Sequence, residues 1–243
     1  MKGLLYKEYY LNRRLIMMEL TGGIAMAGFL ILVLLSFRYG NLRFLEEGTR
    51  MDFFQIALLS VKYFPIFSFA TMAAPPEAVL SEINGKWERF RLTTPVTSWK
   101  FAGVKTLFQI TLLAVGLTCS LLFLGSLSAF GFTDFDRNAV AGTLFVFGAL
   151  LLFTTFFQML TLFFRSLDKA GVALCVILTF LLVGVFVLAA DKLPLGQDMS
   201  LSAPGLALEQ KAGACLPVAL LMIAAAPLLN LIGMGTLLQR REK

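Results

Sequence analysis

Residues Phe101–Leu127 read F-A-G-V-K-T-L-F-Q-I-T-L-L-A-V-G-L-T-C-S-L-L-F-L-G-S-L, and this stretch decides the fold class. Its only charged residue is Lys105. At about 1.5 Å per residue, a helix of this length exceeds the ~30 Å hydrocarbon core of a bilayer. The stretch therefore predicts a transmembrane helix that tilts or protrudes from the membrane.

Five further apolar runs are also long enough to cross a bilayer. The six predicted spans are Leu15–Phe37, Phe53–Ala74, Phe101–Leu127, Ala139–Phe164, Gly171–Ala190 and Leu216–Leu237. Residues Met1–Arg14 precede them and interleave apolar with basic side chains, which is typical of a helix lying in the membrane interface. The predicted fold is all-α: a polytopic membrane protein with six transmembrane helices, forming a single transmembrane domain over residues 1–243.

The composition agrees with a lipid environment. Of the 243 residues, 58% are hydrophobic and only 15% are charged, against roughly 25% charged in ordinary soluble domains. A soluble fold has too little polar surface to cover that many apolar side chains. The net charge of +6 comes from scattered basic residues beside apolar runs, so it favours contact with anionic lipid headgroups over binding of nucleic acid.

The distribution of basic residues predicts the orientation. With the N-terminus in the cytosol, the inside segments carry fourteen Lys and Arg residues and the outside loops carry six. The positive-inside rule therefore places both termini in the cytosol. Residues 75–100 then form the longest cytosolic loop, and residues 191–214 form a longer extracellular loop.

The cytosolic loop combines turn signals with a short amphipathic segment. Asn84-Gly85 marks a turn, and the residues from Lys86 can form a short helix that ends before Pro95. A helix mixing Trp87 and Phe90 with charges of both signs suits docking of a soluble partner. Aromatic and basic residues at headgroup level would explain the same composition, so both interpretations stay open on spacing alone.

Two stretches resemble the permease subunits of ABC-2-type transporters. They are the opening K-G-L-L-Y-K-E-Y-Y-L-N-R-R and the loop E-I-N-G-K-W-E-R-F-R-L-T-T-P-V-T-S-W-K-F-A-G-V-K-T-L. Ser98 and Trp99 depart from the family pattern, in which basic residues are common there, and Glu82 replaces a frequent Asp. The motif positions matched are Glu82, Gly85, Trp87, Glu88, Phe90, Pro95-Val96-Thr97 and Lys105.

The resemblance implies a function for the chain. Gly85–Arg91 would be the coupling helix that seats in an ABC ATP-binding subunit, and two permeases would pair on two ATPases in a bacterial plasma membrane. The subgroup of small permeases is similar to exporters of phenol-soluble modulins, so the implied cargo is an amphipathic peptide or a hydrophobic small molecule. The implied coupling residues are Glu82, Gly85, Lys86, Trp87, Glu88, Arg89, Phe90 and Arg91.

Catalytic and cofactor chemistry is not expected in this chain. No G-x-x-x-x-G-K-[ST] motif occurs, so ATP and Mg²⁺ would be bound by the partner subunit. There is no His, and Cys119, Cys175 and Cys215 lack C-x-x-C spacing, which argues against a metal site. We therefore predict no enzyme activity, no catalytic residue and no metal in the chain itself.

Four residues are candidates for the translocation path. Lys62 lies near the middle of the second run, where a charge must be paired or face water. The fourth run places Thr154 and Gln158 among phenylalanines that include Phe157, and its Thr and Gln side chains can hydrogen-bond across helices. A structural role for Lys62 and lipid contact for the phenylalanines are the competing interpretations.

Two other function classes fit the composition. An ion-coupled secondary transporter would use Lys62 as a switching charge, although no acidic residue is predicted near mid-membrane to complete a relay. A non-transporting membrane scaffold would tolerate Lys62→Leu and show no substrate-dependent activity. Transport that follows an ion gradient without ATP would distinguish the first class from an ATP-driven exporter.

Overall fold

The computed structural model describes residues 2–39, 63–75, 97–190 and 215–240, and these residues form helices with short connections. No strand occurs among them. The helices are α1 (Lys2–Tyr39), α2 (Tyr63–Ala73), α3 (Ser98–Ala129), α4 (Arg137–Phe164), α5 (Leu167–Ala190) and α6 (Leu216–Arg240). Within the described ranges, α1, α3, α4 and α6 are long and apolar enough to cross a membrane.

The bounds of α3 to α6 agree with the predicted spans to within four residues. Only Arg165 and Ser166 separate α4 from α5. Arg165 adopts a left-handed conformation with φ 55° and its N–H donates to the Thr161 carbonyl, which ends α4. At the other end of α4, Asp136 caps the helix by accepting from the Ala139 N–H at 2.8 Å.

The first helix differs from the prediction in its continuity. An interfacial helix was expected over residues 1–14 and a separate span from Leu15, but α1 runs unbroken through Lys2–Tyr39. Between Leu4 and Thr21 the sequence contains neither glycine nor proline, so no residue there interrupts the helix. At about 1.5 Å per residue, α1 is roughly 57 Å long and extends well beyond a ~30 Å hydrocarbon core.

Only part of the predicted second span is described. α2 covers Tyr63–Ala73 and buries Ile66, Phe69 and Ala70. These side chains form one core with Leu112 of α3 and Phe147 of α4. The remainder of the second span, including Lys62, lies outside the described residues.

Contacts between helices fix their relative directions. Glu8 of α1 meets Lys105 of α3, and farther along both helices Leu34 packs with Phe123, so α1 and α3 are parallel. Gly148 and Met159 of α4 contact α6 at positions 222 and 233, so α4 and α6 are also parallel. Trp99 near the start of α3 packs on Gly235 near the end of α6, which makes the two pairs antiparallel to each other. The first residue of α1 and the last turn of α6 therefore lie at the same end of the bundle.

Glycines allow the closest helix contacts. A Cβ on Gly116 of α3 would lie 2.6 Å from the backbone oxygen of Phe69, and a Cβ on Gly23 of α1 would lie 2.6 Å from the ring of the same residue. Gly233 of α6 contacts the Met159 side chain at a similarly short distance. At Gly116 the close atom is backbone, so an added side chain would overlap α2, whereas at Gly23 and Gly233 the close atoms belong to side chains.

Candidate functional site

A layer of buried polar side chains crosses the bundle near one end. Counted at about 1.5 Å per residue, its members lie about 9–17 Å from the end of their helices, at the end that holds the start of α1 and the end of α6. We call this group the polar layer; it comprises Glu8, Asn12, Lys105, Gln109, Thr155, Gln158 and Asn230. Polar groups at this depth need partners or water, because lipid and apolar side chains provide none.

An ion pair joins α1 to α3 within the polar layer. Lys105 Nζ lies 3.4 Å from Glu8 Oε2, and the two side chains are only 9% and 3% exposed. Lys7 Nζ lies 3.9 Å from the other carboxylate oxygen of Glu8. Both ammonium groups also lie over the ring of Phe101, at 4.9 Å for Lys7 and 5.3 Å for Lys105. The buried carboxylate is therefore compensated by two cations, one buried and one closer to the surface.

A chain of hydrogen bonds joins α6, α3 and α4. Asn230 Nδ2 donates to Gln109 Oε1 at 2.7 Å, and Gln109 Nε2 donates to Thr155 Oγ1 at 3.0 Å. All three side chains are buried. Gln109 thus fixes the register of three helices at one point, and loss of its amide would leave the Asn230 donor unbonded.

A small cavity opens within the polar layer. The space that water centres can occupy there is about 30 Å³, which is enough for about two water molecules. Three amide oxygens in its wall accept no hydrogen bond from the residues that the structure describes: Asn12 Oδ1, Gln158 Oε1 and Asn230 Oδ1. Each unmet buried acceptor costs about 1–3 kcal/mol, so the cavity wall favours an occupant with donors.

The cavity wall includes the last residue of α2 and Pro75, two residues farther along the chain. Ala73 and Pro75 line it together with Lys105, Phe108 and Leu112 of α3. Pro75 directly precedes residues 76–96, and α3 begins at Ser98. The two ends of the predicted cytosolic loop therefore meet the bundle at or near the same polar cavity.

A second carboxylate, that of the partly buried Glu19, lies deeper along α1. Glu19 Oε2 accepts hydrogen bonds from Ser68 Oγ at 3.0 Å and Thr71 Oγ1 at 3.3 Å. Ser68 Oγ also lies 2.9 Å from the Glu19 carbonyl oxygen. These contacts fasten α1 to α2, about 16 Å along α1 from Glu8 at 1.5 Å per residue.

The structure places the three predicted path residues of α4 in different surroundings. Gln158 lines the cavity, whereas Thr154 is buried and donates to the Leu151 carbonyl of its own helix at 3.0 Å. Phe157 is partly exposed, outside the cavity wall. The prediction that this face of α4 hydrogen-bonds across helices is confirmed at Thr155.

The remaining predicted site residues lie outside the described part of the chain. Lys62 is one of them. The others are the coupling residues Glu82, Gly85, Lys86, Trp87, Glu88, Arg89, Phe90 and Arg91. Their proposed roles therefore stay predictions.

Several residues of the polar layer were not recognised as site residues in the sequence. Gln109 and Asn230 are the only amide side chains in their apolar runs, and an isolated polar residue within a span is a signal for a site. Glu8 and Asn12 carry no such signal, because charged and polar residues are ordinary in a surface helix. Their burial follows from α1 packing along α3, which the composition of residues 1–14 does not reveal.

Comparison with known proteins gives no relative for this arrangement: no family model, no curated protein and no solved structure matches the chain.

Proposed function

We propose that the chain is the membrane permease subunit of an ATP-driven ABC exporter, with six transmembrane helices and both termini in the cytosol of a bacterial cell. A second permease and two ATP-binding subunits would complete the transporter. The four described helices that are long and apolar enough to cross a membrane are compatible with such a subunit. The resemblance of residues 2–14 and 82–107 to ABC-2 permeases supports the particular class.

The observation that carries the proposal is the attachment of the predicted coupling loop to the polar layer. Pro75, the first residue of the predicted loop, lines the cavity. Lys105, seven residues after the start of α3, is paired with Glu8 at 3.4 Å. A helix is stiff over a distance of seven residues. A force applied to the loop by an ATPase would therefore reach both the cavity and α1 through contacts present in the bundle.

The charge distribution supports placing this end of the bundle in the cytosol. Lys100, Arg165 and Lys169 belong to segments near the polar layer and are exposed. Arg137 is at the opposite end of α4. An excess of basic residues on the side of the polar layer agrees with the positive-inside rule.

The proposed cargo is an amphipathic peptide or a hydrophobic small molecule. This part of the proposal rests on the resemblance to the phenol-soluble modulin exporters. Phe153, Phe156, Phe163 and Phe164 of α4 are all at least 37% exposed, so they form an aromatic surface facing lipid or a neighbouring chain. A cargo that partitions into the membrane would meet this surface before any polar cavity.

ATPase stimulation tests the proposal. The purified partner ATPase should hydrolyse ATP faster with the permease than without it, and Trp87→Ala or Glu88→Ala should abolish that stimulation. Phe135→Ala is the matched control, because Phe135 is an exposed aromatic residue at the other end of the bundle. Unchanged stimulation by folded Trp87→Ala and Glu88→Ala variants would contradict the proposed coupling helix.

A secondary transporter is the second candidate, and Glu19 is the observation that favours it. Its carboxylate is held by two hydroxyl groups between α1 and α2, and an ionisable group at this depth suits binding of a proton or cation. Uptake or efflux in proteoliposomes driven by an ion gradient without ATP, and lost in Glu19→Gln, would favour this class over the exporter.

A further inference from the structure

Three amide oxygens converge on the small cavity from three helices. Asn12 Oδ1 comes from α1, Gln158 Oε1 from α4 and Asn230 Oδ1 from α6, and within the described part of the chain none accepts a hydrogen bond. The side chains are only 4%, 7% and 2% exposed, respectively. Buried polar atoms are almost always bonded in folded proteins, so three unmet acceptors around one space indicate an occupant of that space.

The bonding of the amides defines the chemistry of that occupant. Asn12 Nδ2 donates to the Glu8 carbonyl at 2.9 Å, and Asn230 Nδ2 donates to Gln109 Oε1 at 2.7 Å. Because these nitrogens are engaged inside the protein, the oxygens are what the cavity presents. An anion or an apolar group would leave them unmet, whereas N–H or O–H donors would satisfy them.

The size of the cavity and the charge of its wall narrow the chemical class of the occupant further. The cavity has room for about two water-sized groups. The charged residues in its wall, Glu8 and Lys105, are paired with each other at 3.4 Å, so the opposite charges largely offset one another. The occupant is therefore small, and its hydrogen-bond donors matter more than its net charge.

We infer that the cavity is a binding site for a small group that donates two or more hydrogen bonds, in the class of water or a protonated primary amine. An ammonium group carries three N–H donors, which equals the number of unmet oxygens. Two waters would meet the same oxygens. The inference stands on the cavity alone, so it does not depend on ATP coupling, and the failure of either proposal leaves the other in place.

X-ray hydroxyl-radical footprinting of the full chain in lipid nanodiscs tests the inference, because buried side chains are oxidised only where water lies against them. Leu112 lines the cavity, and Leu127 of the same helix is buried in an apolar core elsewhere. We expect Leu112 to be oxidised several-fold more than Leu127. Equal, near-zero oxidation of both residues in the unaltered chain would show a dry cavity and overturn the inference.

A variant and two probe ions identify the occupant. Gln158→Leu removes one acceptor at similar volume without adding a readily oxidised sulfur, and it should lower the oxidation of Leu112 at least twofold while Leu127 stays unchanged. Methylammonium should protect Leu112 if an amine binds, and tetramethylammonium, which has no N–H, should not. Persistent oxidation with both ions would assign water as the occupant. Equal protection by both ions, or no effect of Gln158→Leu, would contradict recognition through donors.

Discussion

Removing Lys105 from the polar layer should destabilise the bundle through the charge it leaves behind. In Lys105→Met the carboxylate of Glu8, which is 3% exposed, loses the ammonium group 3.4 Å away. Removal of one partner of a buried pair costs about 3–5 kcal/mol. Lys7 remains 3.9 Å from the other oxygen, so we expect the lower end of that range, about 3 kcal/mol.

The free energy of unfolding, measured by SDS titration in mixed micelles, checks this value. Lys100→Met is the matched control, because Lys100 is exposed on the same helix and its loss should change the free energy by less than about 0.5 kcal/mol. The double variant Glu8→Gln, Lys105→Met should recover most of the loss, since it leaves no buried charge unpaired. A single variant as stable as the control would refute the assignment of a buried ion pair.

Two further predictions concern helix contacts. Gly116→Ala should destabilise the protein by about 1–3 kcal/mol, because its new methyl would lie 2.6 Å from the Phe69 backbone oxygen. Gly125→Ala on the same helix is the control, because a methyl there meets no atom within 4 Å. This variant should be neutral or stabilising by up to about 1 kcal/mol. The same titration would contradict the packing if both variants behaved alike. Gln109→Met should cost about 1–3 kcal/mol, because it leaves the Asn230 amide donor unbonded and removes the donor to Thr155. The exposed Gln239→Met should have no measurable effect, and equal losses would argue against the hydrogen-bond chain.

The helices of the second half of the chain are predictable because their signal is strong. Long apolar runs ending in polar or charged residues define α3 to α6, and Arg137, Arg165 and Arg240 lie at or next to helix ends as such residues should. The start of α1 was harder to predict. Its first residues have the composition of a surface helix, and only the lack of a glycine or proline after Leu4 indicates that the helix continues into the span.

The polar layer is less predictable, since it depends on register between helices that are far apart in sequence. Gln158 was recognised because it interrupts a Phe-rich run. Gln109 and Asn230 each interrupt an aliphatic run, but neither sequence environment indicates that the two meet across 121 residues of chain. The pairing of Glu8 with Lys105 requires, in addition, that α1 and α3 run parallel, which single-helix patterns do not encode.

The proposed association with an ATP-binding subunit can be tested by affinity purification of the tagged chain from gently solubilised native membranes. Mass spectrometry would identify the proteins that co-purify in stoichiometric amounts. The exporter account predicts a co-purifying P-loop ATPase that is lost when Trp87 and Glu88 are replaced by alanine and retained in Phe135→Ala. An intact preparation without any nucleotide-binding companion would contradict it.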